Sequence, residues 1–530
     1  MTKQLLTIIL CWLSSFSFAQ KSILWGNLKP GKHIVGFKVI QTYDLSRPFL
    51  PKQQEGILSG VPEGWKHKGR QVQISLWYPA QKVNSAKPIF FEHYIHLLSQ
   101  IHQATGVDNK AKKLGWKMFL KNTKMLGGKQ NSLKRLAKLG KINTQAYLNA
   151  PPKDEKHPLV LFPAGHPTAE ISIMAEYLAS KGYVVAGIPN LGITSTAPEI
   201  STVGLQAMAQ DVLFTLGHLS GFQNVDRKKV AIIGNAFSSS IAATALLTNA
   251  DIDALISLEG GLLSDFEQRM LKQQLNYEVA SFDRPILAIY APHPAIDPQK
   301  IAHLKYATRY FVHFPTMKEF HFLNYGSLEQ QTPQIIGKTP KNVQQGYEWG
   351  CRYVYHFLNA TLKKDSKSQQ FLRNPPKTPK NLFQTHTQTA LPAPPTIAQL
   401  KHLFTTQGMT GVEQTYQHLR HKDSSPFSLK YFDELFKWLG WSSRDNQWVF
   451  RDKLANMVLD SHPKSALSHY FKASVANAQK NTSIAKKHFK QALKCLDSDL
   501  SNYLSVGRRV RLRKYSQQAL NTLTKSKKQN

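Results

Sequence analysis

The sequence predicts an α/β domain, a mostly parallel sheet with helices on both faces, followed by an all-helical domain. Three observations carry this. Two strand-like runs come early with no regular strand–helix rhythm between them, at Ile34–Tyr43 and Gln71–Tyr78. Strand and helix then alternate from Leu159 to His313, the pattern of a doubly covered sheet. Beyond Pro375 the prolines cluster, and from Thr396 onward the apolar spacing is helical throughout.

The later strands are continuous apolar runs, as expected where both faces of a parallel sheet are buried. They are Leu159–Phe162, Tyr183–Ile188, Val230–Ile233, Ile252–Leu258, Ile286–Ala291 and Phe311–His313. Helical patterns separate or follow them at Ala169–Lys181, Val203–Leu219, Ser239–Thr248, Leu271–Glu278 and Ala302–Thr308. A long helix, Val343–Leu362, closes the domain. Residues 86–150 interrupt the rhythm with basic helical sequence, suited to a cap over a site, a membrane-surface helix or an ordinary peripheral helix. The expected division is therefore a leader at 1–19, an α/β domain at 20–373, a Pro-rich linker at 374–396 and a helical domain at 397–530.

At 530 residues and 42% hydrophobic, the chain can bury a large core. Lys3, the apolar run Leu5–Leu13 and Ser17-Phe18-Ala19 have the form of a signal peptide cleaved after Ala19. An exported protein, periplasmic or secreted, is expected. Cys351 and Cys495 fall in different predicted domains, so a disulfide framework is not expected. No C-x-x-C or H-E-x-x-H pattern occurs, and no metal or cofactor is expected. The net charge of +35 is concentrated at 110–141 and after Asp499, stretches without a single acidic residue. Such blocks attract anionic surfaces. In an exported protein these are membrane lipid or polysaccharide, and nucleic acid is not expected as a partner.

The most informative segment is Val230-Ala-Ile-Ile-Gly234-Asn-Ala236-Phe-Ser238. A strand runs into a tight turn and then a helix, the setting of the nucleophile elbow G-x-S-x-G. Gly234 and Ser238 are the small residues that the sharp turn needs. Ala236 stands at the centre, where no acyl-enzyme can form. Shifting the frame by two residues would make Ser238 the nucleophile. Gly26 to His33 is similar to a phosphate loop, but it precedes a strand and ends in His, so that reading is rejected.

Gly31-Lys-His-Ile-Val-Gly36-Phe37, Asp44-Leu-Ser-Arg47, Trp77-Tyr-Pro-Ala80, His157–Phe162 and Ala175–Val185 resemble the platelet-activating-factor acetylhydrolase and dienelactone-hydrolase-like branch of the α/β-hydrolases. The resemblance runs from about Gly31 to Phe371. It implies an α/β-hydrolase fold with the nucleophile position at Ala236, the acid at Glu259 and the histidine at His321; Asp297 is a second choice of acid. The oxyanion donors would come from Phe237 and from the Gly165-His166 loop, although the family often has His-Gly there and this chain has Ala-Gly followed by His166. In the helical domain, Asn446–Ser498 is similar to a degenerate tetratricopeptide repeat.

Three functions follow as expectations. The first is a hydrolase-like protein without its nucleophile that binds a small ester-like or lipid ligand or a partner. The second is an active ester or acyl hydrolase using Ser238 or another nucleophile. The third is a scaffold that meets a protein partner through its C-terminal helices.

Overall fold

A computed structural model describes residues 21–48, 69–82, 87–100, 107–194, 198–274, 276–376, 382–440, 447–499 and 503–525. The expected signal peptide lies outside the described residues, as do Lys527 and Lys528 of the basic tail. The chain forms two compact units, Met1–Thr389 and Ala390–Asn530.

The first unit is built on a ten-stranded sheet. Its strands are β1 (Ile34–Pro48), β2 (Gly69–Ala80), β3 (Ala146–Leu148), β4 (His157–Ala164), β5 (Val184–Pro189), β6 (Val225–Asn235), β7 (Ala254–Leu258), β8 (Ile286–Tyr290), β9 (Arg309–His313) and β10 (Gln384–Gln388). The order is β10-β9-β8-β7-β6-β4-β5-β2-β1-β3. Strands β4 to β9 run parallel, and β2 is antiparallel to both β1 and β5. This is the mostly parallel sheet with helices on both faces that the sequence predicts. Successive side chains of each strand face opposite sides. Val160 and Phe162 enter one core with α4 (Pro167–Ser180), while Leu159 and Leu161 enter the other with α5 (Thr202–Leu219) and α6 (Ser238–Thr248).

The 86–150 region holds α1 (Phe91–His96), α2 (Asn109–Met125) and α3 (Leu133–Gly140), with β3 extending the sheet beside β1. Residues following α2 dock on the loop near Ile335. Asn131 Nδ2 donates to the Ile335 carbonyl at 2.7 Å.

Three expectations change. The segment read as a linker contains β10, whose Gln-Thr-His-Thr-Gln backbone pairs antiparallel with β9 from Gln384↔His313 to Gln388↔Arg309. A polar, largely exposed strand suits a sheet edge. The helix expected at Leu271–Glu278 lies earlier, as α7 (Asp265–Lys272), because Ser264 caps it. Ala302–Thr308 forms turns in place of a helix. The Arg309 guanidinium takes the Ile301 and Ala302 carbonyls at 2.9 and 2.8 Å, acceptors a helix would need.

The first unit also contains α8 (Asn324–Leu328), α9 (Val343–Leu362) and α10 (Ser366–Arg373). The second unit is all helical, from α11 (Ile397–Arg420) through α12 (Leu429–Leu439), α13 (Gln447–Ser461), α14 (Ala466–Ala478) and α15 (Thr482–Leu496) to α16 (Val506–Lys525). Consecutive helices pack on one another. Ala473, Ala476 and Ala485 with Phe489 form a small core, the short side chains letting backbones approach. Cys351 and Cys495 are buried free thiols. Among the described residues, no helix is long and apolar enough to cross a membrane.

Candidate active site

Strand β6 ends at Asn235, and Ala236 turns the chain into α6 with φ of +46°. A non-glycine residue in the left-handed region costs on the order of 1–3 kcal/mol and persists only where the surroundings enforce it. They do so here. The Ala236 N–H donates to the Leu258 carbonyl at 3.1 Å. A Cβ on Gly234 would overlap the Ser238–Ser239 backbone, and one on Gly261 would overlap the Ala236 carbonyl. The elbow therefore keeps its strained shape around a methyl group.

Glu259 follows β7, beside the elbow, and has φ of +67°. Its side chain lines a pocket of about 270 Å³ with Glu319, Lys318, His293, Phe320 and Leu126. The residue is only 6% exposed, and its carboxyl accepts no hydrogen bond among the described residues. Burial, followed by the charges of Glu319 and Glu267, pushes its pKa up to about 9. Glu319 is raised too, chiefly by burial. At neutral pH Glu259 is therefore a neutral acid, able to donate a hydrogen bond.

His321 is fully buried in a short 3-10 turn, Glu319–Phe322. Its Nδ1 accepts from the Lys318 backbone N–H at 2.9 Å. Burial, with the nearby Lys318 charge, lowers its pKa to about 4, so the ring is neutral and Nε2 carries the proton. That nitrogen has no hydrogen-bond partner among the described residues. The expected bond from His321 to Glu259 is absent. A triad needs Nδ1 to donate to the acid and Nε2 to accept from the nucleophile, so this ring holds the wrong tautomer for a general base.

The other expected residues also have different work. Ser238 Oγ accepts from Asn190 Nδ2 at 2.6 Å and is hydrogen-bonded to no histidine among the described residues, as a base-activated nucleophile would be. Arg70 holds the loop after Asn190, donating to the Leu191 and Gly192 carbonyls at 2.6 and 2.8 Å. Asp297 caps the next turn, accepting from the Gln299 N–H at 2.8 Å, and bonds no histidine among the described residues. Phe237 lies at the start of α6, where an oxyanion donor belongs. Gly165 and His166 follow β4, the strand next to β6. The His166 N–H, however, is given to the Glu170 carboxylate at 2.9 Å, which removes that donor from an oxyanion hole.

Glu319, Lys318 and Glu170 were missed in sequence. Glu170 had a signal: an acid in the first turn of a helix satisfies the helix's free N–H groups. Glu319 lay two residues before His321 and carried no pattern of its own. Among the described residues, no cluster of three or more His, Cys, Asp or Glu side chains is placed to hold a metal.

No family model matches the chain. No curated protein matches it. It is similar to a solved ferulic acid esterase from Streptomyces cinnamoneus, at 17% identity over 67% of this chain and 98% of the esterase, with a TM-score of 0.47.

Proposed function

We propose that this is a hydrolase-fold binding protein that holds a small ligand at the former catalytic edge and does not cleave it. The observation that carries the reading is Ala236, an elbow centre with the elbow's strained geometry and no hydroxyl. The His321 tautomer and the occupied His166 N–H support it. Leu126, Ala291, Phe320 and Ile336 give the pocket apolar walls, and Glu259 gives it a neutral acid. That combination suits an uncharged ester-like or lipid-derived group. Leu126 comes from the basic insertion, which favours its role as a cap.

The motifs at Gly31–Phe37 and Trp77–Ala80 support the platelet-activating-factor acetylhydrolase and dienelactone-hydrolase-like branch. The Leu5–Leu13 run supports export to the periplasm or exterior. The alanine-lined pairing of α14 and α15 supports a tetratricopeptide-like surface for a protein partner. The acid-free stretches support contact with an anionic membrane or polysaccharide.

Fluorophosphonate labelling tests the chemistry. The protein and Ala236→Ser should both stay unlabelled, because the variant gains a hydroxyl but no base. A stoichiometric adduct on Ser238 overturns the reading, and an adduct on the new serine overturns the tautomer assignment. Saturation-transfer NMR with ethyl butyrate tests binding. Transfer should occur and fall when Leu126→Trp fills the pocket; transfer that is absent, or unaffected by Leu126→Trp, overturns the pocket assignment.

A further inference from the structure

We propose that the opposite edge of the sheet carries a binding site for a tetrahedral oxyanion, a phosphate or sulfate group, held by Lys32, Lys181, Lys229 and Lys363 around His33 and His157. The elbow lies at the carboxyl ends of the parallel strands. This second site lies at their amino ends. His157 opens β4 and pairs with Val225 at the start of β6, and the Lys181-Gly182 turn leads into β5. His33 immediately precedes β1, which runs parallel to β5 because both are antiparallel to β2. Backbone bonds fix it there: the His33 N–H donates to the Ser180 carbonyl at 3.1 Å and the Gly31 N–H to Ser180 Oγ at 3.0 Å.

These residues enclose a pocket of about 240 Å³. With Lys156, five lysines face it against two carboxylates, Glu155 and Asp226, an excess of three positive charges. Asp226 is already paired with Lys229, at 3.4 Å. The two histidine rings meet edge to face at 5.3 Å and are 8% and 5% exposed. His33 and His157 line the pocket, and their Nδ1 and Nε2 atoms, respectively, are buried without a hydrogen-bond partner among the described residues. A buried polar nitrogen without a partner costs on the order of 1–3 kcal/mol, which favours a ring rotation that brings either nitrogen to a ligand oxygen. Aromatic faces orient two of the amines. Lys363 Nζ sits 3.9 Å from the Tyr183 ring centre, and Lys181 Nζ lies 5.6 and 5.3 Å from those of Tyr177 and Tyr355.

The electrostatics agree. Burial, followed by the Lys229 and Lys32 charges, lowers Lys363 to about 8. Burial, then His157 and the charges of Lys153 and Lys32, lowers His33 to about 4, only weakly opposed by Glu155. A bound anion would oppose the repulsion from the neighbouring positive charges at both groups. Converging amines and ring N–H groups match several oxygens on one centre better than the two of a carboxylate. The site is not a phosphate loop, since no helix N-terminus follows Lys32. The Gly26–His33 segment nonetheless delivers Lys32 and His33 to the pocket.

The test is isothermal titration of the full chain with inorganic phosphate, sulfate and acetate at fixed ionic strength. Phosphate or sulfate should bind saturably at one site and acetate should not. The double variant Lys229→Gln/Lys363→Gln should weaken binding about tenfold or more. Lys112→Gln/Lys121→Gln, an equal charge change on α2, should alter it less than about twofold. Vesicles of phosphatidic acid and of phosphatidylcholine separate the sources: binding only to phosphatidic acid, lost in the first variant, assigns the group to a lipid headgroup. In the unmodified protein, phosphate or phosphatidic acid should protect Lys363 from limited acetylation while leaving Lys112 reactive. Equal weakening by both double variants, acetate binding like phosphate, or no saturable binding in any arm overturns the proposal.

Discussion

The two edges of one sheet have opposite characters. At the carboxyl edge the backbone is strained and crowded, at Ala236, Glu259 and Gly260, while the side chains are neutral or turned away. At the amino edge positive φ falls on Gly182 and on Lys364 beside Lys363, and the lining side chains are mostly charged. The shape of the first edge is fixed because the elbow is also the junction of β6 with α6 and packs against Gly261. That packing needs no side-chain hydroxyl, whereas the turn cannot be relaxed without moving both elements. The second edge has charge with no inherited shape, so its properties depend on which lysines the loops bring together.

If the carboxyl edge is kept as shape, altering its backbone should cost more than altering its polar groups. Gly234→Val drives a branched side chain into the Ser238–Ser239 backbone and should lower stability by about 3 kcal/mol, read by urea unfolding. A loss below about 1 kcal/mol would break the comparison, because the elbow would then be free to relax.

Glu259→Gln sharpens it. Glu259 is raised from 4.5 to about 9 in the folded protein, so the folded state holds the proton longer than the unfolded one. Its contribution is intact below about pH 4.5 and is lost as pH rises toward 9. Glutamine stays neutral in both states. The variant should match the parent near pH 4.5 and become more stable by on the order of a few kcal/mol by pH 9. A stability difference that does not change with pH would mean that Glu259 is ionised in the pocket.

Ser238→Ala should have the smallest effect, a loss of about 1 kcal/mol as the Asn190 amide loses its acceptor. Activity toward activated esters should stay at background before and after. Any hydrolysis removed by this substitution would return Ser238 to the role of nucleophile.

Much of the fold was legible in sequence because buried parallel strands are continuous apolar runs. Val230–Ile233 and Ile286–Ala291 could not have been surface segments. Val343–Leu362 was legible as a helix to its ends. The polar β10 was not, since an edge strand carries no apolar run and depends on β9 for its pairing. Ala302–Thr308 misled because its helical periodicity says nothing of Arg309 taking the carbonyls.

The sequence by itself determined the absence of a nucleophile at Ala236 and the small residues that hold the elbow, since both are matters of residue type at fixed spacing along one strand and turn. It also determined the charge excess of the chain. Only the tertiary structure decided that His321 faces the Lys318 N–H, that Glu170 occupies the His166 donor, and that Glu259 is a protonated acid beside Glu319. Each of these depends on ring orientation, a short cap or desolvation, none of which has a sequence signature. It likewise brought Lys32, Lys181, Lys229 and Lys363, spread across more than 300 residues of sequence, to one pocket. Parallel strands gather their amino ends at one edge whatever their separation along the chain.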